Sequence, residues 1–238
     1  MTLREGSETI VNQCLDVKED EKVVVLNDSN DEELMDALLD VLADRGIDHE
    51  LVEFEEPESH GAEPPELVAR KMKNFDVIIA PTMKSLSHTE ARKEANKAGA
   101  RVATLPTVSR EIWESSLQAD YERVKEITEK AYSILKDAEE VRITTPSGTD
   151  LTFDVEIDTY HNDTGIIHED GGFGNLPAGE PNGYPLNISG TLVLDHFQFS
   201  PGAKKVEIKD GEVVALENKE GENSTELEKD FEEHPCAK

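Results

Sequence analysis

The sequence contains little cysteine, few aromatic residues, few basic residues and no long apolar run. Its two cysteines, Cys14 and Cys236, lie near opposite ends without C-x-x-C spacing, which indicates reduced thiols rather than a disulfide framework. No segment approaches the roughly 18 consecutive apolar residues of a membrane helix. The N-terminal stretch also lacks the apolar core of a secretory signal. These absences favour a cytoplasmic protein without a membrane partner.

The scarcity of basic residues excludes another class of partner. The chain has 24 lysines and arginines against 53 acidic residues, a formal net charge of −29. Such a chain repels nucleic acid and anionic lipid, so neither is expected to bind. The acids are spread over segments with clear apolar periodicity, which predicts a folded protein with a carboxylate-rich surface. We interpret this surface as a halophilic adaptation to high salt, in which self-repulsion is screened.

The first half of the chain alternates strand and helix patterns. Apolar, β-branched runs predict strands at 22–26, 49–54, 75–82 and 100–106. Apolar periodicity predicts helices at 28–46, where Ser29 and Glu32 fit a capping box, and at 88–99. This alternation predicts an open, Rossmann-like parallel sheet with right-handed crossovers.

The second half has the two-residue period of antiparallel strands. Hairpins are predicted at 141–156, around a Pro-Ser-Gly turn, and at 204–218, with Asp210-Gly211 at the tip; a strand at 188–199 lies between them. A short helix capped by Thr225 and Glu228 is predicted near the end. The predicted fold is therefore α/β, with an N-terminal α/β domain at 1–119, a connecting helix at 120–140 and a mainly antiparallel α+β domain at 141–238.

The glycine-rich stretch GGFGNLPAGE, residues 171–180, predicts a loop that binds a ligand, and its residues argue against phosphate. The spacing of Gly174 and Gly179 matches a P-loop, but Glu180 stands where that motif requires lysine. A dinucleotide fingerprint fails because Pro177 takes the third glycine position. No predicted helix follows whose N-terminus could receive an anion.

A metal ion suits the same loop better. Glycines permit a tight turn, and an acidic side chain at its end can bind Zn²⁺, Co²⁺, Mn²⁺ or Fe²⁺ through oxygen. Glu180 is thus the candidate metal ligand. The alternative is a tight surface turn with a solvated glutamate, because one carboxylate does not make a site.

Several segments carry a resemblance to a known family. GNLPAGE (174–180), SGTLVLD (189–195), the KDGEVV hairpin (209–214) and LSHTEARKEANKAGARVATLP (86–106) resemble the aminopeptidase T family of metallo-aminopeptidases, also called leucyl aminopeptidase-like or thermophilic metalloproteases. The resemblance implies a two-domain, homodimeric enzyme with a dinuclear centre of Zn, Co or Mn that removes N-terminal residues from peptides. It also implies that Glu180 is a metal ligand.

The sequence departs from this family after the resembling segments. The other family ligands, a second glutamate, two histidines and an aspartate, are expected downstream of the segment ELEKDFEEHPCAK, where the sequence stops. A two-metal hydrolase needs more than one carboxylate. We expect a truncated product. The alternatives are a site completed by a partner chain and the loss of catalysis.

Several other residues are candidates for the site or for the core. A local cluster could supply alternative ligands or a polar approach to the site: His161, Asp163, His168, Glu169, Asp170, Asp195 and His196. His234 and Cys236 have no partners at zinc-finger spacing. His88 is interpreted as a helix cap or a domain-interface residue, and Trp113 as a core residue. The absence of a G-x-S-x-G elbow argues against a serine hydrolase, and no catalytic residue is assigned.

Three functions compete. The first is a metal-dependent aminopeptidase acting on peptides. The second comes from a branch on the same scaffold that binds a single ferrous ion and cleaves dihydroxypyridine rings, and the third is a metal-free binding protein. The downstream ligands would separate the first two, and stoichiometric metal would exclude the third.

Overall fold

The computed structural model describes residues 2–194 and 203–218, with side chains for all but 203, 204 and 218. The strands are β1 (Lys22–Asn27), β2 (Asp48–Glu53), β3 (Val77–Ala80), β4 (Arg101–Thr104), β5 (Glu140–Thr144), β6 (Asp150–Asp154), β7 (His161–Asp163), β8 (Phe173–Asn175), β9 (Glu180–Asn182), β10 (Leu186–Val193), β11 (Ala203–Lys209) and β12 (Glu212–Asn218). The helices are α1 (Leu3–Glu8), which continues as a π-helical turn (Thr9–Cys14), α2 (Glu32–Asp44), α3 (Glu66–Met72), α4 (Glu90–Lys97), α5 (Arg110–Trp113) and α6 (Tyr121–Lys136).

The chain forms two compact units that are discontinuous in sequence. The first comprises the described residues of Met1–Lys130 together with Asn162–Pro181, and the second those of Ala131–His161 and of the chain after Pro181. The sequence predicted a single division near residue 140. It did not predict that residues 162–181 rejoin the first unit. Residues 162–181, which contain the glycine-rich loop, belong to the first unit.

The first unit contains a five-stranded parallel sheet in the order β2-β1-β3-β4-β8. Its central strands are buried on both faces, as their unbroken apolar runs predict. α2 covers one face with Leu34, Leu38 and Leu42, and the apolar side of α4 packs on the other. The predicted α/β fold class with an open parallel sheet is confirmed.

Two details of this unit differ from the sequence prediction. The N-cap of α2 is Asp31, whose carboxylate accepts the N–H of Glu33, and not Ser29. Ser29 instead has a positive φ of 104° and donates its hydroxyl to Glu56. The predicted core residue Trp113 is fully buried, and its indole N–H donates to the carbonyl of Leu3 at 3.0 Å.

The second unit contains an antiparallel sheet in the order β12-β11-β10-β6-β5. Both predicted hairpins are present, and Asp210 and Gly211 at the tip of the second have φ of 52° and 84°, as a two-residue hairpin turn requires. The strand predicted to reach residue 199 is described only to Val193, and the predicted terminal helix lies outside the described residues. β7 and β9 form a separate two-stranded ladder. No helix in the described segments has the length and apolarity to span a bilayer.

One ion pair is buried in the first unit and supports a stability prediction. The guanidinium of Arg101 binds both carboxylate oxygens of Glu21, at 2.7 and 2.8 Å, and also donates to the carbonyl of Leu15. This hydrogen bonding lowers the pKa of Glu21 below its ordinary value of 4.5. A group whose pKa is lowered by folding stabilises the protein above its unfolded pKa, and that contribution is lost as the pH falls through the folded value.

We expect Glu21→Gln to lower the free energy of unfolding by about 2 kcal/mol near pH 7, because a buried guanidinium loses its charged acceptor. The difference from the wild type should shrink as the pH falls below 4.5. Urea unfolding at a series of pH values measures both effects. Glu19→Gln, at an exposed position two residues earlier, is the matched control; equal effects of the two substitutions would contradict the prediction.

Candidate functional site

The loop that follows β8 presents Glu180 near the carboxyl edge of the parallel sheet. β8 pairs with β4 through Ala103–Gly174 and Thr104–Asn175, and the Leu176 N–H donates to the Thr104 carbonyl at 2.9 Å. Leu176 is buried and the bond to Pro177 is cis. Gly179 has a φ of 136°, and a Cβ there would lie 2.9 Å from Val124. The loop is therefore anchored at its start and closely packed before the exposed Glu180.

Tyr121 supports this loop from the interior. Its side chain is fully buried, with the ring so close to Gly165 that a Cβ on that glycine would lie 2.3 Å from Cε1. Burial raises the pKa of Tyr121, and also that of the neighbouring Cys14 thiol. Both groups therefore stay protonated near neutral pH, and the reactive thiolate form of Cys14 is suppressed. These two side chains act as packing residues.

Asp163 ends β7, the strand that pairs with β9, which begins at Glu180. Its carboxylate accepts the N–H of Gly165 and the N–H of Asn175, each at 3.3 Å. Burial raises the pKa of Asp163, and the negative charge of Glu180 raises it further, although the two backbone hydrogen bonds oppose the shift. Of the predicted cluster, the structure thus associates Asp163 with Glu180.

The other predicted ligands take different positions. The Nε2 atom of His168 lies 2.8 Å from the carbonyl of Gln13, which gives this histidine a structural partner. His161, Glu169 and Asp170 are exposed. Asp195, His196, His234 and Cys236 fall outside the described residues.

The donor set around Glu180 is smaller than a metal site requires. Zinc sites use three or four protein ligands, and non-haem iron sites commonly use two histidines and a carboxylate. Within residues 2–194 and 203–218, no three histidine, cysteine or acidic side chains are grouped closely enough to hold an ion. The carboxylates of Asp163 and Glu180 do not form a complete metal site by themselves.

A polar array that the sequence patterns did not reveal lies at the carboxyl ends of β4 and β8. The side-chain oxygen of Asn175 accepts the hydroxyls of Ser87, at 2.7 Å, and Thr104, at 2.5 Å. Ser87 and Thr104 are buried and lie 3.0 Å apart, and the Ser85 hydroxyl donates to Ser87 at 2.9 Å. One feature of the sequence could have indicated this array: polar residues end or follow the buried strands. Open α/β sheets bind ligands at the carboxyl ends of their strands.

Arg92 borders this array on α4. Its guanidinium lies 4.1 Å from the centre of the Phe173 ring and donates to the carbonyl of Ser87 and to the side chain of Asn96. Burial lowers the pKa of Arg92, and no carboxylate among the described residues forms an ion pair with it. His88, two residues before the helix, is exposed; the cap of α4 is Thr89, which corrects the interpretation of His88 as a cap.

The usual anion position of such a sheet is filled by the protein itself. The strand order reverses between β1 and β3, where open α/β sheets bind ligands. There the fully buried Asp28 accepts the backbone N–H groups of Met83 and Lys84. An internal carboxylate therefore takes the donors that an anionic ligand would use, which agrees with the argument against phosphate.

Comparison with known proteins finds one matching family and two solved structures with a similar fold. The family model described as NicX, 2,5-dihydroxypyridine 5,6-dioxygenase, matches residues 7–198, a span that includes the glycine-rich loop and the polar array. No curated protein matches the sequence. The 2,5-dihydroxypyridine dioxygenase structure from Pseudomonas putida KT2440 has a TM-score of 0.75 and 20% identity, over 96% of this chain and 70% of that one.

Wild-type AmpT from Thermus thermophilus, an aminopeptidase T, has a TM-score of 0.61 and 15% identity, over 96% of this chain and 73% of that one. At these identities both structures show a shared fold and not a shared reaction. The family match thus favours the dioxygenase branch over the aminopeptidase branch, which the resemblance in sequence had placed first.

Proposed function

The chain belongs to the family of NicX, the 2,5-dihydroxypyridine 5,6-dioxygenase, and from this membership we propose that it is a ring-cleaving dioxygenase. Its substrate class would be hydroxylated nitrogen heterocycles such as 2,5-dihydroxypyridine. The reaction would add both atoms of O₂ across one ring bond and open the ring. The observation that carries this proposal is the family match over residues 7–198, within which every described residue of the candidate site lies.

The site chemistry is compatible with a small aromatic substrate. The exposed edge beside Asn175 offers a carboxamide, the partly exposed ring of Phe173 and the cation of Arg92. An aromatic compound with oxygen substituents can use each of these groups. The two protein families support a metal cofactor in general; we propose Fe(II), which would supply the means to activate O₂ when bound, with Glu180 as one ligand.

The aminopeptidase is the second candidate. It is favoured by the NLPAGE motif and by the fold shared with AmpT, and it would use Zn²⁺, Co²⁺ or Mn²⁺ on peptide substrates. The homodimer, the cytoplasmic location and the adaptation to high salt remain predictions.

Oxygen consumption separates the candidates. We expect the purified protein, loaded anaerobically with Fe(II) in high-salt buffer, to consume one O₂ for each 2,5-dihydroxypyridine lost, measured with an oxygen electrode and by ultraviolet absorbance. The Zn(II)-loaded protein should consume none. Release of p-nitroaniline from leucyl-p-nitroanilide without any O₂ uptake would favour the aminopeptidase, and inactivity in both assays without stoichiometric metal would favour the non-catalytic protein.

A further inference from the structure

The side chain of Asn175 is oriented by two buried hydroxyls, although it is itself exposed. Its oxygen lies within hydrogen-bonding distance of both Ser87 and Thr104. Because Ser85 donates to Ser87, the Ser87 proton is directed to another acceptor, and the Thr104 proton needs an acceptor as well. The Asn175 oxygen is the acceptor that both reach.

The opposite orientation of the amide is unfavourable. If the nitrogen faced Ser87 and Thr104, both hydroxyls would lose their contacts to the amide oxygen at 2.7 and 2.5 Å, and Ser87 would have to donate back to Ser85, which reverses the direction of the Ser85–Ser87 hydrogen bond. The hydroxyl pair therefore sets which end of the carboxamide faces outward.

The outward end of Asn175 is the NH₂ group. None of the described residues accepts a hydrogen bond from this nitrogen, while the backbone N–H of the same residue donates to Asp163, on the strand that pairs with β9. Phe173 lies two positions earlier on β8 and thus on the same face of the strand. The outward donor stands next to an aromatic ring covered by the Arg92 guanidinium.

We propose that the NH₂ group of Asn175 binds an oxygen substituent of the substrate ring and thereby orients it, and that Ser87 and Thr104 are positioning residues for this carboxamide. This inference rests on the proposed function. A pyridone carbonyl or a phenolate oxygen accepts such a hydrogen bond, and the nearby Arg92 charge favours the anionic form. Asn175 then selects oxygenated rings over unsubstituted ones.

Binding of ring analogues tests the proposal. The ligands are 2,5-dihydroxypyridine, 2-hydroxypyridine, which lacks the 5-oxygen, and 3-hydroxypyridine, which lacks the 2-oxygen. Dissociation constants are measured anaerobically by calorimetry on the wild type and on Asn175→Asp, which keeps acceptors for both hydroxyls but removes the NH₂ donor. We expect binding of the dihydroxy compound to weaken by about 10- to 100-fold. The analogue that lacks the contacted oxygen should bind both proteins equally.

The controls separate recognition from structure. Asn74→Asp makes the same change at an exposed carboxamide on the loop after α3 and should leave all three affinities unchanged. Ser87→Ala combined with Thr104→Val should weaken dihydroxypyridine binding by a smaller factor, and adding Asn175→Asp should produce less than the product of the two effects. A loss shared equally by all three compounds would show that Asn175 is only structural.

A measurement on the wild type guards against variants that do not fold. With selective ¹⁵N-asparagine labelling, the Asn175 side-chain NH₂ signal should shift on addition of dihydroxypyridine and not with the analogue that lacks the contacted oxygen. An unshifted signal, despite binding and turnover, would overturn the role of Asn175 and leave the proposed function intact. Absence of both dihydroxypyridine binding and O₂ uptake in the wild type would overturn the two together.

Discussion

Glu180→Gln should reduce both metal affinity and the rate of ring cleavage by at least about 100-fold. Mutation of a residue that only hydrogen-bonds to a metal ligand typically lowers metal affinity or activity 10- to 100-fold. The substitution preserves the shape of the side chain and removes its charge. Because Glu180 is exposed at the end of an anchored loop, the change should leave the free energy of unfolding nearly unaltered. Metal stoichiometry by mass spectrometry and initial O₂ uptake measure the two losses.

Two other carboxylates of the first unit are compared with Glu180. Glu169→Gln removes an exposed charge in the segment before β8 and should change neither quantity. Asp163→Asn removes an acidic residue on the strand that pairs with β9 and should have an intermediate effect, since Asp163 accepts the backbone N–H groups of Gly165 and Asn175. If the Glu180 variant retained full metal content and turnover, this glutamate would be a solvated surface residue.

Gly165→Ala should be the most destabilising small substitution near the site. Gly165 has a φ of 74°, and a Cβ would lie 2.3 Å from Cε1 of the buried Tyr121. The left-handed backbone costs roughly 1–2 kcal/mol for alanine, and overpacking adds roughly 1–3 kcal/mol. We expect a decrease of about 3 kcal/mol in the free energy of unfolding, measured by urea denaturation.

Gly46→Ala is the control for the backbone cost, and its difference from Gly165→Ala gives the steric cost. Gly46 has a similar φ of 69°, but a Cβ added there would meet no atom of the described residues within 4 Å. It should therefore show only the backbone cost. The Gly165 variant should also lose activity, because Gly165 donates its N–H to Asp163. Equal destabilisation of the two variants would mean that Tyr121 can move aside and that the loop is not rigidly supported.

The parallel sheet was largely predictable because its central strands are continuous apolar runs separated by helical patterns. β1, β3 and β4 all lie where such runs occur. β8 was missed for a physical reason. It has three residues, Phe173–Asn175, with glycine at its centre, and so it has neither an apolar run nor a two-residue alternation. Its place beside β4 comes from pairing with a segment about 70 positions earlier in the sequence.

The candidate site likewise contains one residue that the sequence indicated and one that it did not. Glu180 was proposed as a ligand from a motif, and local residues, Pro177 and Gly179, determine the path of the loop that carries it. Asn175 belongs to the same motif, but nothing in the local sequence indicates its hydroxyl partners. Those partners, Ser87 and Thr104, come from the loop after β3 and from the end of β4.

By itself, the sequence determined the strand–helix alternation around β1–β4, the two hairpins, the excess of acidic residues and the argument against phosphate, because each depends on residue type and short spacing. Only the tertiary structure decided that the glycine-rich loop belongs to the parallel-sheet unit and that Asn175 is oriented by two buried hydroxyls. Both depend on contacts between residues far apart in the chain, and local patterns carry no information about such pairing.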